Sequence, residues 1–111
     1  PRQIGMHRAK ELVLLAEVID STEADRIGLV NRVVADSDLE VTVQEIVDRL
    51  SSGPPVALSM SKKLLNAGLN SSLSQSLEAE AQAQSVNFET EDVKEAAIAW
   101  IEKRSAVFKG Y

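Results

Sequence analysis

Thr90-Glu91-Asp92-Val93-Lys94-Glu95-Ala96-Ala97-Ile98-Ala99-Trp100-Ile101-Glu102-Lys103-Arg104-Ser105-Ala106-Val107-Phe108-Lys109-Gly110 reads as a capped helix that runs out into a basic-aromatic tail. The Thr90 hydroxyl can accept an unpaired N–H of the first turn. Glu91 and Asp92 sit at the positive end of the helix dipole, and Lys103 and Arg104 at its negative end. Val93, Ala97, Trp100 and Ile101 recur at helical spacing, which predicts a buried apolar stripe.

The same logic extends upstream. Leu73, Leu77, Ala81 and Phe88 share one face of a helix that Asn70-Ser71-Ser72 can cap. Before it, Ser51-Ser52-Gly53-Pro54-Pro55 breaks the chain, and a proline in the first turn suits a helix whose stripe is Ala57, Met60, Leu64 and Ala67. Leu39, Val43, Ile46, Val47 and Leu50 draw a single apolar stripe that predicts a helix over residues 38–50. Asp20 or Ser21 can cap a short helix over residues 22–27, with Gly28 at the left-handed position that stops it. The β-branched residues 29–34 form either a lone strand or an extended connector. Ala9, Leu12, Val13 and Ala16 give a first amphipathic helix over residues 6–16. The expectation is all-α: five to six short helices, with at most one short extended segment at residues 29–34.

Composition narrows the function. The chain has 111 residues, 44% of them apolar, enough for one core. Large aromatics are scarce, so burial must come from Leu, Val, Ile and Ala, and helices of that kind often need a partner surface. A formal charge of -5 and a pI near 4.8 oppose the basic stripe that nucleic-acid binding requires. No apolar run approaches the roughly 20 residues that span a bilayer. The absence of cysteine excludes disulfides and thiolate metal sites, and fits a cytoplasmic setting. Pro1-Arg2, with no initiator Met, reads as the start of a piece of something longer.

Local motifs offer little catalysis. Ser59-Met60-Ser61-Lys62 has Ser-x-x-Lys spacing, which would set a lysine one helical turn from a serine, but the companion Ser-Asp-Asn and Lys-Thr-Gly elements are missing. His7, the sole histidine, lies on the polar side of its helix beside Arg8 and reads as solvent-facing. Glu78, Glu80, Glu89, Glu91 and Asp92 lack calcium-loop spacing and a histidine partner, so they read as helix-surface charges and no metal site is expected.

Four ordered stretches carry a family likeness: Pro1-Arg2-Gln3-Ile4-Gly5 before an Ala/Leu helix; Ser21-Thr22-Glu23-Ala24-Asp25-Arg26-Ile27-Gly28-Leu29-Val30-Asn31-Arg32-Val33-Val34; Gly53-Pro54-Pro55 before a Lys-bearing helix; and Thr90-Glu91-Asp92 through Glu102-Lys103-Arg104 to Phe108-Lys109-Gly110. Together they resemble the C-terminal part of the crotonase family, the enoyl-CoA hydratases and isomerases. The resemblance implies that residues 1–111 form the helical, oligomer-building and CoA-covering region of a longer enzyme. The ββα spiral that carries catalysis would precede Pro1, so no residue here inherits a catalytic role and the segment alone is expected to be inactive. Acyl-CoA would be the substrate, with no separate cofactor and no metal, and the assembly a trimer or dimer of trimers.

The resemblance further implies that Phe108, Lys109 and Trp100 lie at the CoA end, near the adenine and 3′-phosphate. For Lys109 the plain alternative is a frayed basic tail. Ser105-Ala106 departs from the commoner Lys/Arg-Pro of the family, which removes a rigid residue. Hydratase is the first reading, isomerase the second, and a helical oligomerisation module without catalysis the reading from another class.

Overall fold

The computed structural model describes residues 1–111 and is all-α, with six helices and no strand. They are α1 (Met6–Leu15), α2 (Ser21–Arg26), α3 (Leu39–Ser51), α4 (Pro55–Gly68), α5 (Leu73–Phe88) and α6 (Glu91–Glu102). A 3-10 turn at Asp36–Asp38 leads into α3. Residues 29–34 pass from a bend into irregular chain, a connector and not a strand.

Local chemistry explains the ends. Of the two candidate caps for α2, Asp20 does the work: its carboxylate accepts the Glu23 N–H at 2.8 Å. Gly28, at φ +74°, closes the other end of α2. Its N–H reaches the Asp25 carbonyl and the next N–H, of Leu29, reaches that of Ala24, the paired bonds of a Schellman turn. Ser72 and Gln75 form a reciprocal capping box on α5. Thr90 caps α6 by accepting the Val93 N–H. At the far end of α6, Lys103 takes the left-handed conformation, so it closes the helix instead of extending it.

The chain forms two compact units, Pro1–Val43 and Gln44–Tyr111, with the boundary inside α3. In the first, Ala9, Ala24 and Ile27 are buried. Leu12 is half-buried, while Val13 and Ala16 are exposed, so only the first half of the expected α1 stripe is covered. In the second unit α4 and α5 pack together. From α4, Ala57, Met60 and Leu64 are half-buried as expected, and Ala67 is exposed.

Two expected stripes are corrected. On α5 the half-buried residues are Ser76, Ala79, Ala83 and Asn87, and Leu73, Leu77, Ala81 and Phe88 face outward. Small side chains let two helix backbones approach closely, so the packed face is the small one. On α6 Asp92 and Ala99 are buried and Val93 and Glu95 half-buried, so of the expected stripe only Val93 is covered, and Trp100 is 83% exposed. There the tail lies along the polar side of the helix and leaves Ala97, Trp100 and Ile101 open. The stripe on α3 is likewise exposed along its length.

No side chain in the molecule is wholly buried. The accessible surface is 9075 Å², against about 7,000 Å² for two compact globules sharing this mass. Apolar surface on that scale drives association. The 111-residue polypeptide, purified alone, should self-associate at micromolar concentration in light scattering. A folded monomer with a steady scattering mass would contradict this reading.

Candidate functional site

The second unit's most ordered polar structure is the strap formed by residues 104–111, folded back along α6. Glu95 anchors its start. Its carboxylate accepts Arg104 Nη1 at 2.5 Å and Nη2 at 3.0 Å, and also the Val107 N–H at 2.9 Å. Glu102 takes Arg104 Nε at 2.6 Å. A bidentate guanidinium–carboxylate pair fixes direction as well as distance.

The strap's far end closes on the first turn of α6. Asp92, only 4% exposed, accepts the Lys109 N–H at 2.7 Å and the Gly110 N–H at 2.9 Å. The Glu91 N–H, unpaired within the helix, donates to the main-chain oxygen of Tyr111 at 2.8 Å. Asp92 also lies where the helix dipole favours negative charge. Gly110 adopts φ +83°, and a Cβ there would stand 3.1 Å from Pro55 Cγ at the start of α4.

The Arg104 guanidinium, and after it the Val107 N–H, hold the Glu95 carboxyl at about 2, well below its ordinary 4.5. The Arg104 guanidinium is correspondingly raised by Glu95 and then Glu102. On α2, Glu23 is lowered by its bond from Arg26, an exposed pair that contributes little to stability.

The three residues expected at the CoA end do not share one cavity. Phe108 is half-buried and lines a cavity of about 230 Å³ with Pro54, Val56, Ala57, Val93 and Ala96. Lys109 lines another, of about 300 Å³, with Glu91, Asp92, Lys94, Glu95 and Tyr111. Trp100 borders a third, of about 570 Å³, with Lys103 and Arg104. Arg104 does not serve the end of its own helix as expected, because it turns back to Glu95.

His7, Ser59 and Lys62 are exposed, and no Ser59–Lys62 hydrogen bond forms. Asp92 departs from the surface-charge reading, since it is buried. Glu95, which carries the other half of the strap, attracted no attention in sequence. Its signal is its place on one face with Asp92 and Ala99, at i, i+3 and i+7.

Comparison with known proteins gives these features a setting. The chain belongs to the enoyl-CoA hydratase/isomerase family, which matches residues 1–111. The short-chain-enoyl-CoA hydratase of Clostridium acetobutylicum is 44% identical over 103 residues, 93% of this chain and 40% of that protein. The crotonyl-CoA hydratase of Syntrophomonas wolfei is 40% identical over 108 residues, 97% of this chain and 42% of that protein. The crystal structure of an enoyl-CoA hydratase from Bacillus anthracis superposes with a TM-score of 0.96 at 36% identity, covering 100% of this chain and 43% of that one. The chain thus spans 40–42% of the length of these curated relatives. No helix is long and apolar enough to cross a membrane.

Two outcomes follow for the strap. Gly110→Ala forces a side chain into a positive-φ position against Pro55, at about 1–3 kcal/mol; amide exchange at residues 107–110 should rise about tenfold or more while the α6 interior is unaffected. Unchanged strap exchange would show that Gly110 is not needed there. The second outcome concerns Glu95. Because its folded value is depressed, the stability that the contact contributes is fully present above the ordinary 4.5 and is lost as pH falls from there through about 2, where the contact itself titrates. The Val107 amide shift in NMR should titrate near the lower value, and Glu95→Gln should abolish the step. A midpoint at the ordinary carboxylate value would disprove the contact.

Proposed function

We propose that this chain is the C-terminal helical region of an enoyl-CoA hydratase, which adds water syn across the double bond of a 2-enoyl-CoA thioester. What carries the reading is the family match over residues 1–111, joined to relatives at 44% and 40% identity whose names specify short-chain and crotonyl-CoA hydratases. In this proposal the preceding part of the enzyme supplies the catalytic groups. Two backbone N–H donors stabilise the enolate oxygen, where negative charge gathers in the transition state, and carboxylates move the protons. Residues 1–111 supply none of these, and alone they turn over no thioester.

Their contribution is structural and ligand-covering. The exposed apolar faces of α1, α3, α5 and α6 are surfaces for the rest of the subunit and for neighbouring subunits, as a trimer or a dimer of trimers, in the cytoplasm. At the CoA end, Lys109 meets the 3′-phosphate, while Phe108 and Trp100 border the adenine side. Lys109 suits that role because its ammonium is exposed and takes part in no ion pair. Double-bond isomerisation is the second reading, favoured by the relative named enoyl-CoA isomerase/hydratase in Mycosarcoma maydis, 33% identical over 110 residues.

Lys109→Ala in the complete enzyme should raise KM for acyl-CoA about fivefold, the equivalent of about 1 kcal/mol for a partly exposed charge contact, and less at high salt. The 3′-dephospho thioester, which lacks the charge, should be hardly affected. Turnover number should stay near the parent value, because this end of the ligand is bound alike in ground and transition states. Equal losses for both thioesters, or none, would remove Lys109 from the CoA site.

A further inference from the structure

Around Lys109 every acidic group is already answered. Glu91 pairs with Lys94 at 2.6 Å and Glu95 with Arg104 at 2.5 Å. Asp92 enters no ion pair and spends its charge on two consecutive main-chain N–H groups, those of Lys109 and Gly110. Lys109 is therefore the cation of this cavity that enters no ion pair, although its charge is felt by the Glu95 carboxylate.

The manner of holding is informative. A buried carboxylate is costly unless it is hydrogen-bonded, and here each oxygen takes one charge-assisted bond. Two N–H groups on adjacent residues, bound to the two oxygens of one rigid carboxylate, fix the two peptide planes that flank the Lys109 Cα, 108–109 and 109–110. They thereby fix the direction in which the Lys109 side chain leaves the backbone. On one side Phe108 is seated against α4 and α6, and on the other Gly110 is set by its positive φ against Pro55. An apolar contact would order the strap as well, but it would not orient these two peptide planes.

We infer that Asp92 is a positioning residue for Lys109: through the two N–H groups it aims the Lys109 ammonium at the phosphate of the CoA thioester. This rests on the reading of Lys109 as the 3′-phosphate contact. The freedom removed is that of a lysine side chain's base. A long flexible side chain loses less on binding when its root is fixed.

The test uses the complete enzyme with Asp92→Asn, which puts an NH₂ donor against an N–H donor and so breaks one of the two bonds. Should it fail to fold by circular dichroism, Asp92→Glu, with both oxygens a methylene further out, carries the same test. Discrimination between acyl-CoA and its 3′-dephospho analogue, as the ratio of KM values, should fall about threefold to fivefold. It should approach the ratio of Lys109→Ala, with kcat held within about twofold. The double variant should be no less discriminating than Lys109→Ala alone. If Lys109→Ala loses discrimination and the Asp92 variant keeps it, the positioning role is overturned while the CoA reading stands. If Lys109→Ala loses none, the CoA reading fails, and amide exchange at residues 109 and 110 decides what is left. Faster exchange in the Asp92 variant then supports Asp92 as the clasp of the strap, and unchanged exchange overturns that too.

Discussion

The two hydrogen bonds that a buried, cation-free carboxylate accepts from the Lys109 and Gly110 amides organise the second unit of this molecule. Asp92 sits in the first turn of α6, where the helix dipole and the unpaired N–H groups already favour negative charge. Its two oxygens accept the strap's amides there. Once residues 104–111 lie along that side, Asp92, Glu95 and Ala99 become the covered face of α6. Val93 keeps partial cover, while Ala97, Trp100 and Ile101 face outward. A helix cannot hide both faces with one short strap, so the exposed apolar stripe is a direct consequence of where the strap binds.

The same geometry governs α5. Its contact with α4 runs through Ser76, Ala79, Ala83 and Asn87, a row of small and polar side chains. Close approach through that row leaves Leu73, Leu77 and Phe88 on the outside. The fold thus uses its small and polar faces for contacts within the unit and holds large apolar faces in reserve. That distribution suits a region whose apolar partners lie beyond residues 1–111, which agrees with relatives more than twice as long.

What could be read in the sequence divides along this line. Helix existence and helix ends depend on neighbours a few residues away, and Asp20, Gly28, Ser72 and Thr90 announce them correctly. The α3 stripe likewise marks a real helix. Periodicity identifies which face is apolar, but it does not say which face a neighbour will occupy, and on α5 and α6 the neighbour takes the other one. The strap was beyond a local window for a further reason. Its bonds join residue 92 to residues 109 and 110, and residue 95 to residues 104 and 107. Lys109 and Phe108 stand out as a basic-aromatic pair, whereas Asp92 reads as an ordinary first-turn acid and nothing local singles out Glu95.

A chain with a net charge of -5 is an unpromising place for an anionic ligand, and in the proposed reading the strap resolves the difficulty locally. Long-range repulsion from dispersed surface carboxylates is screened within about 10 Å at moderate salt, so the immediate surroundings of a binding cation decide its use. Near Lys109 the carboxylates of Glu91 and Glu95 are matched by Lys94 and Arg104, and that of Asp92 by two amide dipoles. Were Asp92 exposed, it would compete for the neighbouring ammonium as an ion-pair partner one strap-width away. Buried and bonded to main-chain N–H groups, it forms no ion pair with the lysine, as the proposed positioning role requires. The positive charge stays available although the protein as a whole is acidic.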